Sequence, residues 1–208
     1  MLERPSIGYR AIKRLIDVVG ASLALLILSP VMLAAALATF LQDPRAPVLF
    51  RQQRAGLGGR PFALLKFRTM VRNADELKEQ LRHLSLVAWP DFRLENDPRV
   101  TRLGRFLRKT SLDELPQLLN VVRGEMSLVG PRPVVLDELE LYGEAEIYYL
   151  QVRPGLTGLW QISGRNDVDY ERRVSLDAWY VRNWTLWYDI LILFRTLLVV
   201  PGKRNGAY

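Results

Sequence analysis

The chain has 208 residues, with no cysteine, one histidine and a formal net charge of +7. Without cysteine the protein has no disulfide, no thiolate nucleophile and no zinc site of the usual structural kind. A histidine-based triad or metal site would need His83, which lies in a charged, amphipathic stretch and is expected to be solvated. The basic charge is typical of proteins that bind nucleic acid, anionic lipid or a phosphorylated substrate.

The first predicted element is an apolar helix that spans about residues 7–41. Residues 18–42 carry no charge. As one continuous helix they would be about 37 Å long, which is enough to cross a hydrocarbon core of about 30 Å. Pro30 removes a backbone donor and clashes with the preceding turn, so we predict a break at Ser29-Pro30. The Ser29 hydroxyl is available to bond the backbone that the break leaves free.

The charges on either side of this helix indicate how it meets the membrane. Both flanks are cationic, with Lys13 and Arg14 before the apolar run and Arg45 after it. Cationic flanks prefer the cytoplasmic side, so the sequence predicts a re-entrant helix that leaves the membrane on the side it entered. A spanning helix with a proline kink is the alternative. The predicted domains are a membrane anchor, residues 1–42, and a cytoplasmic domain, residues 43–208.

A short β-hairpin is predicted after the anchor. Two runs that suit a half-buried strand, at residues 48–54 and 61–68, lie on either side of a glycine-rich loop and are typical of paired antiparallel strands. Lys66 and Arg68 would either point from the second strand towards a pocket or lie exposed on the hairpin surface. Arg51 and Arg54, on the first strand, are alternative candidates for contact with lipid headgroups.

The rest of the chain is predicted to be mainly helical. Apolar periodicity and turn signals predict helices at about residues 71–86, 103–107, 111–122, 136–150, 170–181 and 184–200. The last helix begins among Trp and Tyr side chains, so it is either an amphipathic helix at the membrane surface or an ordinary core helix. The predicted fold class is α+β and mainly helical, with a re-entrant membrane helix broken at Ser29-Pro30, a short β-hairpin, and a helical cytoplasmic catalytic domain with interfacial amphipathic helices.

The candidate reacting centre contains the adjacent acids Asp113 and Glu114. Taken alone, Ser111 and Glu114 match a capping box that only starts a helix. Basic residues that include Arg108 precede this stretch, however, and Arg132 follows it between two prolines. A carboxylate beside such charges stays ionised and can attack phosphorus, while a neighbouring glutamate can hold Mg²⁺. The pattern therefore predicts a carboxylate pair at a phosphate site.

Several short motifs, in a fixed order, carry a family resemblance. They are KRLID at residues 13–17, Ser29-Pro30, FRQQRAG at 50–56, KFRTM at 66–70, TSLDELPQ at 110–117, GPRP at 130–133 and RPGLTGLWQ at 153–161. Each motif alone is weak, but the ordered set is highly specific. From about residue 13 to residue 208 the chain resembles the bacterial sugar transferases, the monotopic phosphoglycosyl transferases that load a sugar phosphate onto a polyprenyl phosphate.

The resemblance implies a two-step reaction. Asp113 would attack the sugar-linked phosphorus of a UDP-sugar, release UMP, and carry the phosphosugar covalently until undecaprenyl phosphate takes it. Glu114 would help to bind Mg²⁺, and Arg132 would hold a phosphate. The other candidate residues for binding substrate or phosphate are Lys66, Arg68, Arg108, Gln161 and Arg165.

The resemblance also implies where the protein works. The expected location is the bacterial inner membrane, with the catalytic domain on the cytoplasmic face. The expected partners are a UDP-sugar, undecaprenyl phosphate and membrane lipid, and a homodimer is left open. The small size and the short tail at residues 204–208 are similar to those of enzymes that start exopolysaccharide or O-antigen chains with galactose or glucose phosphate.

Two other functions stay open at this point. One is a non-catalytic, membrane-anchored basic module that binds anionic lipid or polymer. The other is a phosphohydrolase with the same acid pair, in which water is the final acceptor. Binding of nucleic acid is disfavoured, because the basic residues cluster around the anchor and the acid pair instead of forming a continuous stripe.

Overall fold

The computed structural model describes residues 7–87, 90, 92, 94, 96–164 and 168–202. Its helices and strands are α1 (Ile7–Gln42), β1 (Leu49–Ala55), β2 (Pro61–Phe67), α2 (Ala74–Leu81), α3 (Arg102–Lys109), α4 (Gln117–Arg123), β3 (Ser127–Val129), α5 (Glu146–Tyr149), β4 (Gly155–Thr157), α6 (Leu159–Ile162), α7 (Tyr170–Asn183) and α8 (Leu186–Gly202). Within these described ranges, four 3₁₀ turns cover Leu57–Gly59, Arg82–Leu84, Leu112–Glu114 and Leu136–Ala145. The mainly helical class, with one long apolar N-terminal helix and a short hairpin, is confirmed.

The N-terminal helix α1 runs without interruption through Ser29 and Pro30. The predicted division into two arms is therefore not observed. The Ser29 hydroxyl donates a hydrogen bond of 2.8 Å to the Leu26 carbonyl, which is the acceptor that Pro30 leaves unused because it has no N–H. This bond helps the helix to accommodate the proline. Among the described residues α1 is the one helix long and apolar enough to cross a membrane, and its re-entrant course stays a prediction.

One stripe of α1 packs against the rest of the protein. Ala21, Ala35 and Thr39 are buried and share one face of the helix. Ala21 packs in a cluster with β2 and α4, and Ala35 packs in another with the end of β2 and with α3. On the other side of the helix, Leu26 and Leu33 are each 72% exposed. The helix therefore lies along the folded body and turns an apolar surface outwards.

The predicted hairpin is confirmed to within one residue at each end. β1 and β2 pair in antiparallel fashion, with Leu49 opposite Phe67 and Ala55 opposite Pro61. The turn includes Gly58 with a φ of 65°, a left-handed conformation that glycine adopts without steric cost. Because β2 packs in one cluster with α1 and α4, it connects the N-terminal helix to the centre of the fold.

Most of the later helices lie where the sequence predicts them, but some of the predicted residues form 3₁₀ turns instead of α-helix. Helices α3, α7 and α8 form where they were predicted. Helix α2 ends at residue 81 and continues only as a 3₁₀ turn, in which His83 is exposed, as expected. The stretch 136–150, predicted as one α-helix, is mostly a 3₁₀ turn that is interrupted at Gly143, whose φ is 51°.

The parallel pair of strands β3 and β4 was not predicted. Ser127 pairs with Gly155, and Val129 pairs with Thr157. Strands of three residues are too short to show a period of two in the sequence. A Cβ atom at Gly155 would lie 2.1 Å from the Gly130 nitrogen, so the close approach of the two strands requires glycine.

A buried ion pair joins α1 to α8. The Lys13 Nζ lies 2.6 Å from Asp189 Oδ2 and 3.5 Å from Asp17 Oδ1. Tyr180 and Trp184 also donate hydrogen bonds to the Asp189 carboxylate. The ion pair fixes the two ends of the described chain against each other. The interfacial position of α8 stays a prediction.

Candidate active site

A pocket of about 550 Å³ opens beside the β-hairpin. Its walls come from the loop after α1, from both hairpin strands, from the segment between α3 and α4, and from α6. It brings the two predicted acids together with four of the predicted binding residues, Lys66, Arg68, Arg108 and Gln161. Its charged lining residues are Arg54, Lys66, Arg68, Arg72, Asp75, Arg108, Asp113 and Glu114. Cations therefore outnumber acids around the cavity, which suits an anionic ligand.

The acid pair lies on a tight turn between α3 and α4. Ser111 has a φ of 57° and is, within the described part of the chain, the one non-glycine residue in the left-handed region. Its side chain makes no capping hydrogen bond, and α4 begins only at Gln117. The capping-box alternative is therefore wrong, and the helix predicted over residues 111–122 begins only at Gln117. The left-handed turn instead leads into the 3₁₀ turn that presents Asp113 and Glu114 to the pocket.

Asp113 is buried, with 8% of its surface exposed. This burial raises the pKa of Asp113 to about 6, and the negative charge of Glu114 adds to the rise. The positive charges of Lys66 and Arg108 oppose it. At neutral pH the carboxylate is therefore mostly ionised, but its pKa lies above the ordinary value and not below it, because loss of water outweighs the nearby cations.

Two cations beside the acid pair are held in defined positions. The Lys66 Nζ lies 2.8 Å from Glu114 Oε1. The Arg108 Nε donates a hydrogen bond of 2.9 Å to Thr69 Oγ1. Burial lowers the pKa of Arg108, although a guanidinium stays charged at any physiological pH. Both side chains therefore contribute positive charge to the pocket wall.

Arg68 has a structural task in addition to its place in the pocket wall. Its guanidinium donates to the carbonyl oxygens of Thr39 and Asp43, at 2.9 and 3.1 Å, where α1 ends. Such bonds satisfy carbonyls that the end of a helix leaves without intrahelical partners. Arg68 thereby ties β2 to the end of α1.

Arg132 lies beside the pocket and is not among its lining residues. Its NH1 atom is 2.7 Å from Glu138 Oε1, and its backbone N–H donates to Asp177 Oδ2. Burial raises the pKa of Asp177 to about 7. The Arg132 guanidinium lies 6.0 Å from the ring centre of Trp160, which does border the pocket. A phosphate contact by Arg132 stays a prediction, and Arg165 lies outside the described residues.

Gln52 and Arg54 are pocket residues that the sequence reasoning missed. Arg54 donates hydrogen bonds to the Pro133 carbonyl at 3.1 Å and to Gln52 Oε1 at 2.6 Å. Arg54, one of the candidates for contact with lipid headgroups, lies in the pocket wall. The period of two in β1 carries the missing signal, since residues 50, 52 and 54 share one face and Phe50 lies opposite Lys66.

The acid pair suits a magnesium ion that is held mainly by phosphate and water. Among the described residues, no group of three or more acids and histidines is arranged to hold a metal ion. Mg²⁺ keeps several waters and binds proteins through one or two carboxylates plus substrate phosphates. Asp113 and Glu114, side by side in the pocket, supply that number of carboxylates.

Comparison with known proteins finds one family and several relatives of high identity. Residues 8–203 match the model of the family described as bacterial sugar transferase. The chain is 54% identical over 203 residues to the undecaprenyl-phosphate galactose phosphotransferase of Salmonella typhimurium, which covers 96% of this chain and 42% of that relative. It is 53% identical over 201 residues to the exopolysaccharide production protein ExoY of Rhizobium meliloti, with coverage of 94% and 88%.

A third relative comes from Escherichia coli. The chain is 45% identical over 207 residues to its UDP-glucose:undecaprenyl-phosphate glucose-1-phosphate transferase, which covers 95% of this chain and 41% of that relative. The chain thus spans less than half the length of the Salmonella and Escherichia relatives and most of the length of ExoY.

Proposed function

Because the chain belongs to the bacterial sugar transferase family, we propose that it moves a sugar-1-phosphate from a UDP-sugar to undecaprenyl phosphate and releases UMP. The favoured sugars are galactose and glucose, which the names of the relatives mention. The reaction would be the first membrane step in making an exopolysaccharide, capsule or O-antigen. The observation that carries the proposal is the position of Asp113, buried beside Glu114 in a pocket bordered by cations.

In the first step the Asp113 carboxylate attacks the phosphorus that carries the sugar. A bond forms between the carboxylate oxygen and phosphorus, the bond from that phosphorus to the bridging oxygen breaks, and UMP leaves with the electron pair. Lys66 and Arg108, which lie close enough to Asp113 to influence its charge, would stabilise the negative charge that moves onto the leaving UMP.

In the second step a phosphate oxygen of undecaprenyl phosphate attacks the same phosphorus. The bond to Asp113 breaks and the free carboxylate returns. The burial of Asp113 limits the access of water to the phosphosugar and so favours transfer to the lipid over hydrolysis.

The Mg²⁺ expected in this reaction would be held by Glu114 together with Asp113. When bound, it would neutralise part of the charge of the diphosphate. The cations around the pocket, together with Gln161 of α6, would bind and orient the donor.

The proposed location is the bacterial inner membrane, with the catalytic domain on the cytoplasmic face. Contacts at both ends of α1 argue against a spanning course. Near its start, Arg14 donates to the carbonyls of Val121 and Val122 in α4, and near its end the Thr39 carbonyl accepts from Arg68, the residue that follows β2. Since α4 and β2 pack in one core, a spanning helix would have to carry one of these contacts across the bilayer.

The test is an assay of UMP release with the protein in lipid nanodiscs, Mg²⁺, undecaprenyl phosphate and either UDP-galactose or UDP-glucose. Asp113→Asn is expected to lower the rate by at least about a thousandfold, as loss of a covalent nucleophile does. The matched control is Asp137→Asn, at an exposed acid outside the pocket, which should keep the wild-type rate. Acid quenching with labelled donor should trap the sugar phosphate on Asp113.

The same assay separates the other two functions. A basic binding module would release no UMP from any donor, with or without Asp113. A phosphohydrolase would release UMP without lipid, and undecaprenyl phosphate would not raise the rate. Either result would overturn the proposal.

A further inference from the structure

A fully buried asparagine joins the two segments of chain that carry the acid pair and its lysine. Asn120, on α4, has 0% of its surface exposed. Its Oδ1 accepts a hydrogen bond from the Leu65 N–H at 3.1 Å, and its Nδ2 donates to the Ala63 carbonyl at 2.8 Å. Nδ2 also donates to Glu125 Oε2 at 2.6 Å. The amide thus uses its acceptor and both of its donor hydrogens inside the protein.

The Asn120 amide makes the hydrogen bonds to β2 that a neighbouring strand would otherwise make. In a β-strand, the carbonyl of one residue and the N–H two residues later point to the same edge. Asn120 bonds that pair of groups on β2 at Ala63 and Leu65, on the edge away from β1. These bonds are directional, whereas the apolar cluster that includes Leu64 of β2 and Leu118 of α4 is held by the hydrophobic effect, which has no preferred direction.

The position of α4 along β2 decides the geometry of the pocket. Lys66 follows Leu65 directly, and Glu114 lies on the turn that leads into α4. The 2.8 Å contact between Lys66 and Glu114 therefore depends on the register that Asn120 sets. We propose that Asn120 is a positioning residue, whose amide clamps β2 to α4 and so holds Lys66 at Glu114 and Asp113. This inference rests on the function proposed above.

A kinetic double-mutant cycle tests the clamp. Asn120→Ala is expected to lower kcat about a hundredfold, because a misplacement of about 1 Å at a reacting centre costs about that much. In a Lys66→Met background the same change should cost less than about threefold, since the group that the clamp positions is then absent. Losses that multiply would overturn the proposal.

A second readout separates positioning from loss of folded protein. In a single turnover with labelled donor, Asn120→Ala should slow the labelling of Asp113 but leave the final labelled fraction at the wild-type value. A final fraction that falls in step with the rate would mean that only the amount of folded protein had changed, and it would overturn the proposal.

The matched control is Leu118→Ala, which removes a buried apolar side chain from the same helix and leaves the amide bonds intact. It should lower the unfolding temperature as much as Asn120→Ala does and keep kcat within about threefold of wild type. If Leu118→Ala slows turnover as much, the clamp is refuted. If wild type and Leu118→Ala both release no UMP, the proposed function fails instead.

A second variant keeps the test decisive if Asn120→Ala does not fold. Asn120→Asp keeps the volume and the acceptor for the Leu65 N–H, but its carboxylate loses the donors for the Ala63 carbonyl and for Glu125 Oε2. It should slow turnover in the wild-type background and cost less than about threefold with Lys66→Met. A wild-type rate, or losses that multiply, would overturn the clamp.

Discussion

Replacing Lys13 with methionine is expected to destabilise the protein by about 3 kcal/mol. Lys13 lies between two buried carboxylates, Asp189 at 2.6 Å and Asp17 at 3.5 Å, which are 6% and 3% exposed. Removing one partner of a buried ion pair costs about 3–5 kcal/mol, because the remaining charge is left without compensation. Both acids still accept a hydrogen bond from a neutral group, Asp17 from the Ser127 hydroxyl and Asp189 from the Tyr180 hydroxyl. We therefore expect a cost at the lower end of this range.

Thermal unfolding in detergent measures this effect. For a chain of this size each kcal/mol shifts Tm by about 2–4 °C, so Lys13→Met should lower Tm by about 6–12 °C. The control is Lys109→Met, at an exposed lysine on α3, which should change stability by less than about 0.5 kcal/mol. Adding Asp189→Asn to Lys13→Met should recover part of the loss. A fall of less than about 2 °C for Lys13→Met would refute the reasoning.

Four further outcomes follow from the site and its surroundings. UMP release should fall about tenfold for each pH unit below about 6, because Asp113, whose pKa is raised to about 6, is then protonated. Lys66→Met removes a charge that lowers this pKa, so the acidic limb of the pH–rate profile should move to higher pH, and a limb that stays in place would contradict the assignment. Ser111→Gly should raise the free energy of unfolding by about 1 kcal/mol, because a residue with a side chain is strained in the left-handed conformation. Denaturant unfolding measures this change, and an unchanged free energy of unfolding would count against the strain. Gly104→Ala should destabilise the protein by about 1–3 kcal/mol, because its Cβ would lie 2.0 Å from a backbone carbonyl oxygen, whereas Gly8→Ala, with nothing within 4 Å, should be neutral or stabilising by the same measurement.

Patterns of charge and hydrophobicity in the sequence were sufficient to predict the larger helices and the hairpin. The long uncharged run predicts α1, and alternating residues predict the hairpin, because burial of one face leaves a regular mark on the chain. Strands β3 and β4 leave no such mark. What marks the contact between these strands is the pair Gly130 and Gly155, whose backbones approach too closely for any side chain. A glycine in a sequence does not reveal which backbone it will contact in the fold.

The acid pair shows why a local pattern can mislead. Ser111 and Glu114 have the spacing of a capping box, yet Ser111 adopts a left-handed conformation and caps nothing. Tertiary packing at the pocket, which the sequence does not display, overrides the local preference. Arg132 is a similar case, because only the folded chain shows that Glu138 already binds its guanidinium.

The bond between Arg68 and the end of α1 connects that helix mechanically to the pocket. Arg68 is two residues from Lys66 on the same stretch of chain, and its guanidinium holds the Thr39 carbonyl. A shift of α1 along the folded body would therefore pull on the strand that carries Lys66. Turnover should respond to the lipid around α1, although none of the residues that line the pocket belongs to α1.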